Sequence, residues 1–142
     1  MTVLDHPTRI LLAEADRTAL SAHIRELEAL GHTVLAVSDG LECLERLRSQ
    51  PPDVLVLEAE LPWGGGDGVL AVCQEEPELR QIPVIVLVGG RSVSLLYRLA
   101  LFEIGDLLFK PVPPRTLAQR VAALISLPAR AQKLVDNRHG QS

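Results

Sequence analysis

Aromatic side chains are scarce: the sequence holds one Trp, one Tyr and two Phe, 3% of its residues. That argues against the stacking platforms on which single-stranded nucleic acids bind and leaves Leu and Val to fill the core. Basic charge is also short. Lys and Arg number 14 against 18 Asp and Glu, a formal net charge of −4. No Lys/Arg cluster stands out, so nucleic-acid binding by this chain alone is not expected. Cysteine is limited to Cys43 and Cys73, with no CxxC pair, which speaks against a zinc site or redox motif. Two half-buried thiols in a reducing compartment are expected instead. No apolar run approaches the ~18 residues of a membrane span, and MTVLDHPTR at the start has no secretory pattern. The expectation is a cytoplasmic protein with no membrane partner.

What remains is ordinary globular material. The 142 residues are 47% hydrophobic and 23% charged, which suits one domain with its own core. Short aliphatic runs alternate with helical patterns. ILLA at 10–13, VLAV at 34–37, VLVL at 54–57, VIVLV at 84–88 and LLF at 107–109 read as strands buried on both faces, the requirement of a covered parallel sheet. Helices are predicted over about 17–30, 41–49, 68–76, 93–104 and from 113–114 to about 127. Asp16 is the expected N-cap of the first and Gly31 its C-terminal stop. This order predicts an α/β fold: a flavodoxin-like, doubly wound, five-stranded parallel sheet in the order 2-1-3-4-5 with five helices. Residues 1–8 read as an N-terminal segment, 9–127 as the domain and 128–142 as a tail with a frayed end.

The strand ends carry the chemistry. Strand one delivers Glu14, Ala15 and Asp16; strand three delivers Glu58 and Glu60 before Pro62; strand four delivers Val88; strand five delivers Lys110 and Pro111. An acidic pocket of Glu14, Asp16 and Glu60 around Glu58, with one lysine, is therefore expected on one edge. ILLAEAD, the Asp39–Gly40 turn, DVLVLEAELP, the Asp67–Gly68 pair, IPVIVLV and FKP appear in order across about residues 9–125. Together they resemble the response regulator receiver domain. The resemblance implies phosphorelay signalling: a histidine kinase passes a phosphoryl group to an Asp after strand three, an acidic pair helps bind Mg²⁺, and a Ser/Thr and a Lys sense the phosphoryl group. A histidine kinase or a downstream signalling protein would be the partner.

Against that pattern, the phosphoacceptor position holds Glu58. The second acidic position is Ala15, and the hydroxyl position is Val88. Lys110, followed by Pro111, matches, and the family typically makes that peptide bond cis. A Glu carboxylate sits roughly 1.5 Å beyond that of an Asp, and phosphoryl transfer depends on positioning and metal neutralisation. Ala15 removes a metal ligand, and Val88 cannot donate a hydrogen bond. The expectation is a pseudo-receiver, not an enzyme, that acts by protein contact, with an ion pair between Glu58 and Lys110. No metal site is expected and Mg²⁺ binding should be weak or absent, Glu14 and Glu58 being the weak candidate ligands. The alternatives are a receiver phosphorylated on an unusual acid, Asp67 or Glu58, or a small-ligand sensor on the same fold.

Two surface features complete the reading. The loop 62–68 holds three adjacent glycines and is expected to be mobile. Its Trp63 would cover the pocket, fold onto the loop or serve as an exposed anchor for a partner. Helix four has more apolar residues than one core-facing stripe needs. A homodimer is expected there, with Leu96, Tyr97 and Leu101 at the interface and Arg98 at its rim.

Overall fold

The computed structural model describes residues 7–90 and 92–139, with side chains through residue 126. Five strands, β1 (Arg9–Ala13), β2 (Thr33–Val37), β3 (Val54–Glu58), β4 (Val84–Val88) and β5 (Asp106–Phe109), alternate with helices. All pairings are parallel, in the order β2-β1-β3-β4-β5. Alternation along the strands builds two cores. Ile10, Leu12, Val54, Val56, Ile85 and Leu87 face α1 (Arg17–Ala29) and α6 (Pro114–His139). Leu11, Ala13, Leu55, Leu57, Val86 and Val88 face α2 (Gly40–Ser49), α3 (Gly65–Glu75) and α5 (Val93–Leu99). Burial on both faces explains why the strands are near-continuous Val and Leu.

The helix starts follow local chemistry. Asp16 accepts from the N–H groups of Thr18 and Ala19, and Asp39 from that of Glu42. These carboxylates satisfy N–H donors that the first turn leaves unpaired. Gly31 at φ 91° closes α1, donating to the Glu28 carbonyl at 3.0 Å.

Four boundaries differ from the sequence reading. A one-turn helix, α4 (Pro77–Arg80), adds a sixth helix before β4. α3 begins at Gly65, not at residue 68, so the glycines are built into the helix start. They are needed there for conformation and space. Gly64 and Gly65 have φ of 102° and 66°, and a Cβ on Gly66 would stand 2.8 Å from the Glu58 carbonyl oxygen and from the Ala59 Cα. α5 ends at Leu99, leaving Leu101 in the following turn rather than in the helix. α6 continues past the expected stop near residue 127 to His139. Of the predicted terminal segments, residues 1–6 and 140–142 lie outside the described residues, the expected frayed end among them.

Among the described residues no helix is long and apolar enough to cross a membrane. Trp63 holds a left-handed φ of 59°, a conformation that costs an L-residue roughly 1–2 kcal/mol.

Candidate functional site

The strand order reverses between β1 and β3, and a doubly wound sheet opens a crevice beyond the carboxyl ends of such strands. Three backbone bonds carry the ladder one residue past the strands and fix the site residues. Glu14 N–H donates to Val37 at 3.0 Å, Ala59 N–H to Leu87 at 2.8 Å, and Lys110 N–H to Val88 at 2.8 Å. Glu14, Glu58 and Lys110 thus leave the sheet toward one point.

There the Lys110 ammonium donates to both carboxylates. It lies 2.8 Å from Glu14 Oε1 and is also hydrogen-bonded to Glu58 Oε1. Glu58 Oε2 accepts the Ala15 N–H at 3.0 Å. The Glu14 side chain is wholly buried, while Glu58 keeps 13% and Lys110 23% of their side-chain surface in water. Glu14 Oε2 is buried with no hydrogen-bond partner. Burial works against the Lys110 charge, but hydrogen bonds and charge from Glu14 and Glu58 outweigh it and hold its pKa above the ordinary lysine value. The Lys110–Pro111 peptide is cis.

The acidic pocket is smaller than the sequence suggested. Asp16 does not join it: its Oδ1 caps α1, because one residue beyond Ala15 the chain has already turned into the helix. Glu60 is exposed, and its Oε1 lies toward Gly90 rather than toward Lys110. Val88 is buried in the core on β4. Beside it an open groove of about 590 Å³ is lined by Val88, Gly89, Gly90, Leu96, Phe109 and Lys110. Asp67 pairs instead with Arg98 of α5, Oδ2 to Nε at 3.1 Å. Among the described residues no group of three or more His, Cys, Asp or Glu is placed to share a metal ion.

Sequence reasoning missed His23. It is buried on α1, and its Nε2 lies 2.9 Å from the Val112 carbonyl oxygen, so it donates as the Nε2–H tautomer. The bond ties α1 to the segment that directly follows Lys110 and Pro111. The available signal was a polar residue on the apolar stripe of helix one, between Leu20 and Leu27.

The expected interface residues divide by exposure. Tyr97 and Leu101 are largely exposed, and so is Val93. Leu96 is half-buried and packs against the core. Trp63 neither covers the ion pair nor folds away: it is 72% exposed.

Comparison with known proteins agrees with the fold. A family model for the response regulator receiver domain matches residues 10–122. The sensor histidine kinase TmoS of Ectopseudomonas mendocina is 32% identical over 123 residues, 87% of this chain and 12% of TmoS. The response regulator MprA of Mycobacterium ulcerans is 35% identical over 137 residues, 94% of this chain and 55% of MprA. The chain therefore spans only a part of these longer relatives. Among solved structures, the receiver domain of a signal transduction histidine kinase from Syntrophus aciditrophicus superposes with a TM-score of 0.78 at 27% identity, covering 84% of this chain and 90% of that one. With its sheet order, its lysine–carboxylate edge and this match over most of its length, the chain belongs to the response regulator receiver domain family of two-component signalling.

Proposed function

We propose that this receiver domain works as a fixed, non-enzymatic contact module, a pseudo-receiver in which Glu58 stands where the family carries its phosphoacceptor Asp. One observation carries the reading: Lys110 is already bonded to Glu58, and Glu58 also accepts the Ala15 N–H. A phosphoryl group on an Asp would bring negative charge toward this lysine. Here the longer Glu side chain brings it without chemistry. The neighbouring positions, Ala15 and Val88, supply neither a second carboxylate nor a hydroxyl.

Mg²⁺ has no part in this reading. Magnesium asks for near-octahedral oxygen ligands and keeps several of its waters. The two available carboxylates, Glu14 and Glu58, share one ammonium, and the free Glu14 oxygen is buried. The donors present do not fit the ion. The signal passes instead to a kinase or downstream protein through contact. The exposed row Val93, Tyr97 and Leu101, with Arg98 at its edge and Leu96 behind it, forms a homodimer face.

Incubation with a small phosphodonor and Mg²⁺, followed by intact-mass measurement, tests the reading. The expected result is no added phosphoryl group on the wild type. Calorimetric titration should show no saturable Mg²⁺ binding below millimolar concentration. The triple variant Ala15→Asp, Glu58→Asp, Val88→Thr should gain both properties. Phosphorylation of the wild-type chain overturns the proposal.

A further inference from the structure

Trp63 is the only tryptophan in the sequence, and it lies outside both hydrophobic cores. The surrounding chain holds it outward. Gly40 N–H donates to the Pro62 carbonyl at 2.8 Å. The Trp63 carbonyl oxygen fills the space a Cβ on Gly40 would need. Gly64, in the left-handed region, follows at once. A bulky residue persists in such a conformation only where its surroundings over-determine it, and strain of this kind clusters at functional positions. Gly40 thus joins the start of α2 to this loop, and the next residue, Leu41, on the first turn of α2, is 67% exposed.

The charge next to Leu41 at the start of α2 is acidic. Asp39 caps α2 and Glu42 and Glu45 follow it, with no Lys or Arg in residues 38–45, whereas Glu58 and Asp67 are already paired with Lys110 and Arg98. Glu45 lies one turn along α2 from Leu41 and is exposed. An acidic surface repels phosphate-rich ones, so nucleic acid and anionic bilayers are poor occupants. It attracts a basic protein surface. A large, rigid, exposed indole beside an aliphatic side chain has the character of an interface anchor.

We infer that Trp63 and Leu41, with Asp39, Glu42 and Glu45 of the α2 start beside them, form a docking surface for a protein partner presenting a basic amphipathic helix. The inference extends the contact-module reading by naming a surface and its partner's chemistry. It is separable from that reading, because phosphodonor mass shifts test one and peptide binding tests the other. Apolar residues of the helix would cover the indole and Leu41, and its Lys or Arg residues would meet the acidic side chains.

The test uses a fluorescein-labelled amphipathic helical peptide built of Lys and Leu, and anisotropy with the full chain. The peptide is expected to bind, more weakly as salt rises. Trp63→Ala and Leu41→Ala should each weaken binding about tenfold, and Glu45→Lys should weaken it as well. Glu28→Lys, on exposed α1 at the opposite face of the sheet, makes the same charge change and should leave the affinity within about twofold. Far-UV circular dichroism and urea midpoints should match the wild type for all four variants. Absence of peptide binding overturns the inference, as does an unchanged affinity in Trp63→Ala or an equal loss in Glu28→Lys. So do co-sedimentation with phosphatidylglycerol vesicles through Trp63, and a homodimer that Trp63→Ala dissociates.

Discussion

Lys110 is one ammonium between two carboxylates, and its removal leaves both without their cation. Lys110→Met should destabilise the fold by about 3 kcal/mol, the low end for breaking a buried pair, because Lys110 keeps some contact with water. Urea unfolding at neutral pH measures the loss. A base whose folded pKa is raised stabilises the fold fully below its unfolded pKa and loses that contribution as pH rises through the folded value. Lys110 is raised. An acid with a raised folded pKa behaves in the same way. Burial, with Cys73, Asp39 and Glu42 adding negative charge, pushes the Cys43 thiol up to about 12. Burial and Glu76 push Cys73 to about 11. All three groups therefore favour the fold at neutral pH and withdraw that favour on the alkaline side. The urea midpoint should stay level from neutral pH to about pH 8.5 and fall above it. Cys43→Ala should show a shallower alkaline fall. The strand ends put Glu58 and Lys110 on one edge, and the resemblance to the receiver family implied that they would meet. Neither excluded Asp16 and Glu60, because the alternation of a strand ends where the chain turns, and a carboxylate next to a helix start has backbone N–H donors to satisfy first.

α3 shows how a short element depends on one missing side chain. Its first turn runs against the end of β3, and Gly66 has room for a hydrogen only. Gly66→Ala should cost about 1–3 kcal/mol, the range for forcing a methyl into packed space. It should also displace Glu58, whose carbonyl the new Cβ would press. Thermal unfolding measures the first effect, and the ammonium resonance of Lys110 in NMR reports the second. The strands were legible in the sequence to within about a residue because aliphatic runs bounded by turn residues leave little choice. Helix ends were less so. Three successive glycines carry no periodic signal, which hid the start of α3, and the apolar residues after Leu99 continue the helical pattern although the chain turns there. Pro77 opens a one-turn helix, consistent with its fixed φ at a first helical position, but four residues are too few to show a period.

At the scale of the molecule, α1 and α6 cover one side of the sheet and α2, α3 and α5 the other, with the ion pair at the open edge between β1 and β3. The proposed dimer would cover Val93, Tyr97 and Leu101, which together leave apolar surface in water at about 25 cal/mol per Å². Sedimentation velocity at micromolar concentration should show a dimer with no phosphodonor present. Tyr97→Glu or Leu101→Glu should shift it to monomer with the urea midpoint unchanged, since both side chains are exposed. Leu96→Glu should lower that midpoint as well, because Leu96 packs against the core.

The placement of the aromatics has a spectroscopic consequence. Trp63, Tyr97 and Phe109 are exposed, and Phe102 is only partly buried at the edge of one core. No Trp, Tyr or Phe ring is locked inside the packed interior, so near-ultraviolet dichroism should be faint even in the native state. Loss of that band is a usual mark of a molten globule. In this protein a flat near-ultraviolet spectrum beside full far-ultraviolet signal describes a well-packed aliphatic domain, and slow exchange of the β1, β3 and β4 amides is the signal that separates it from a molten one.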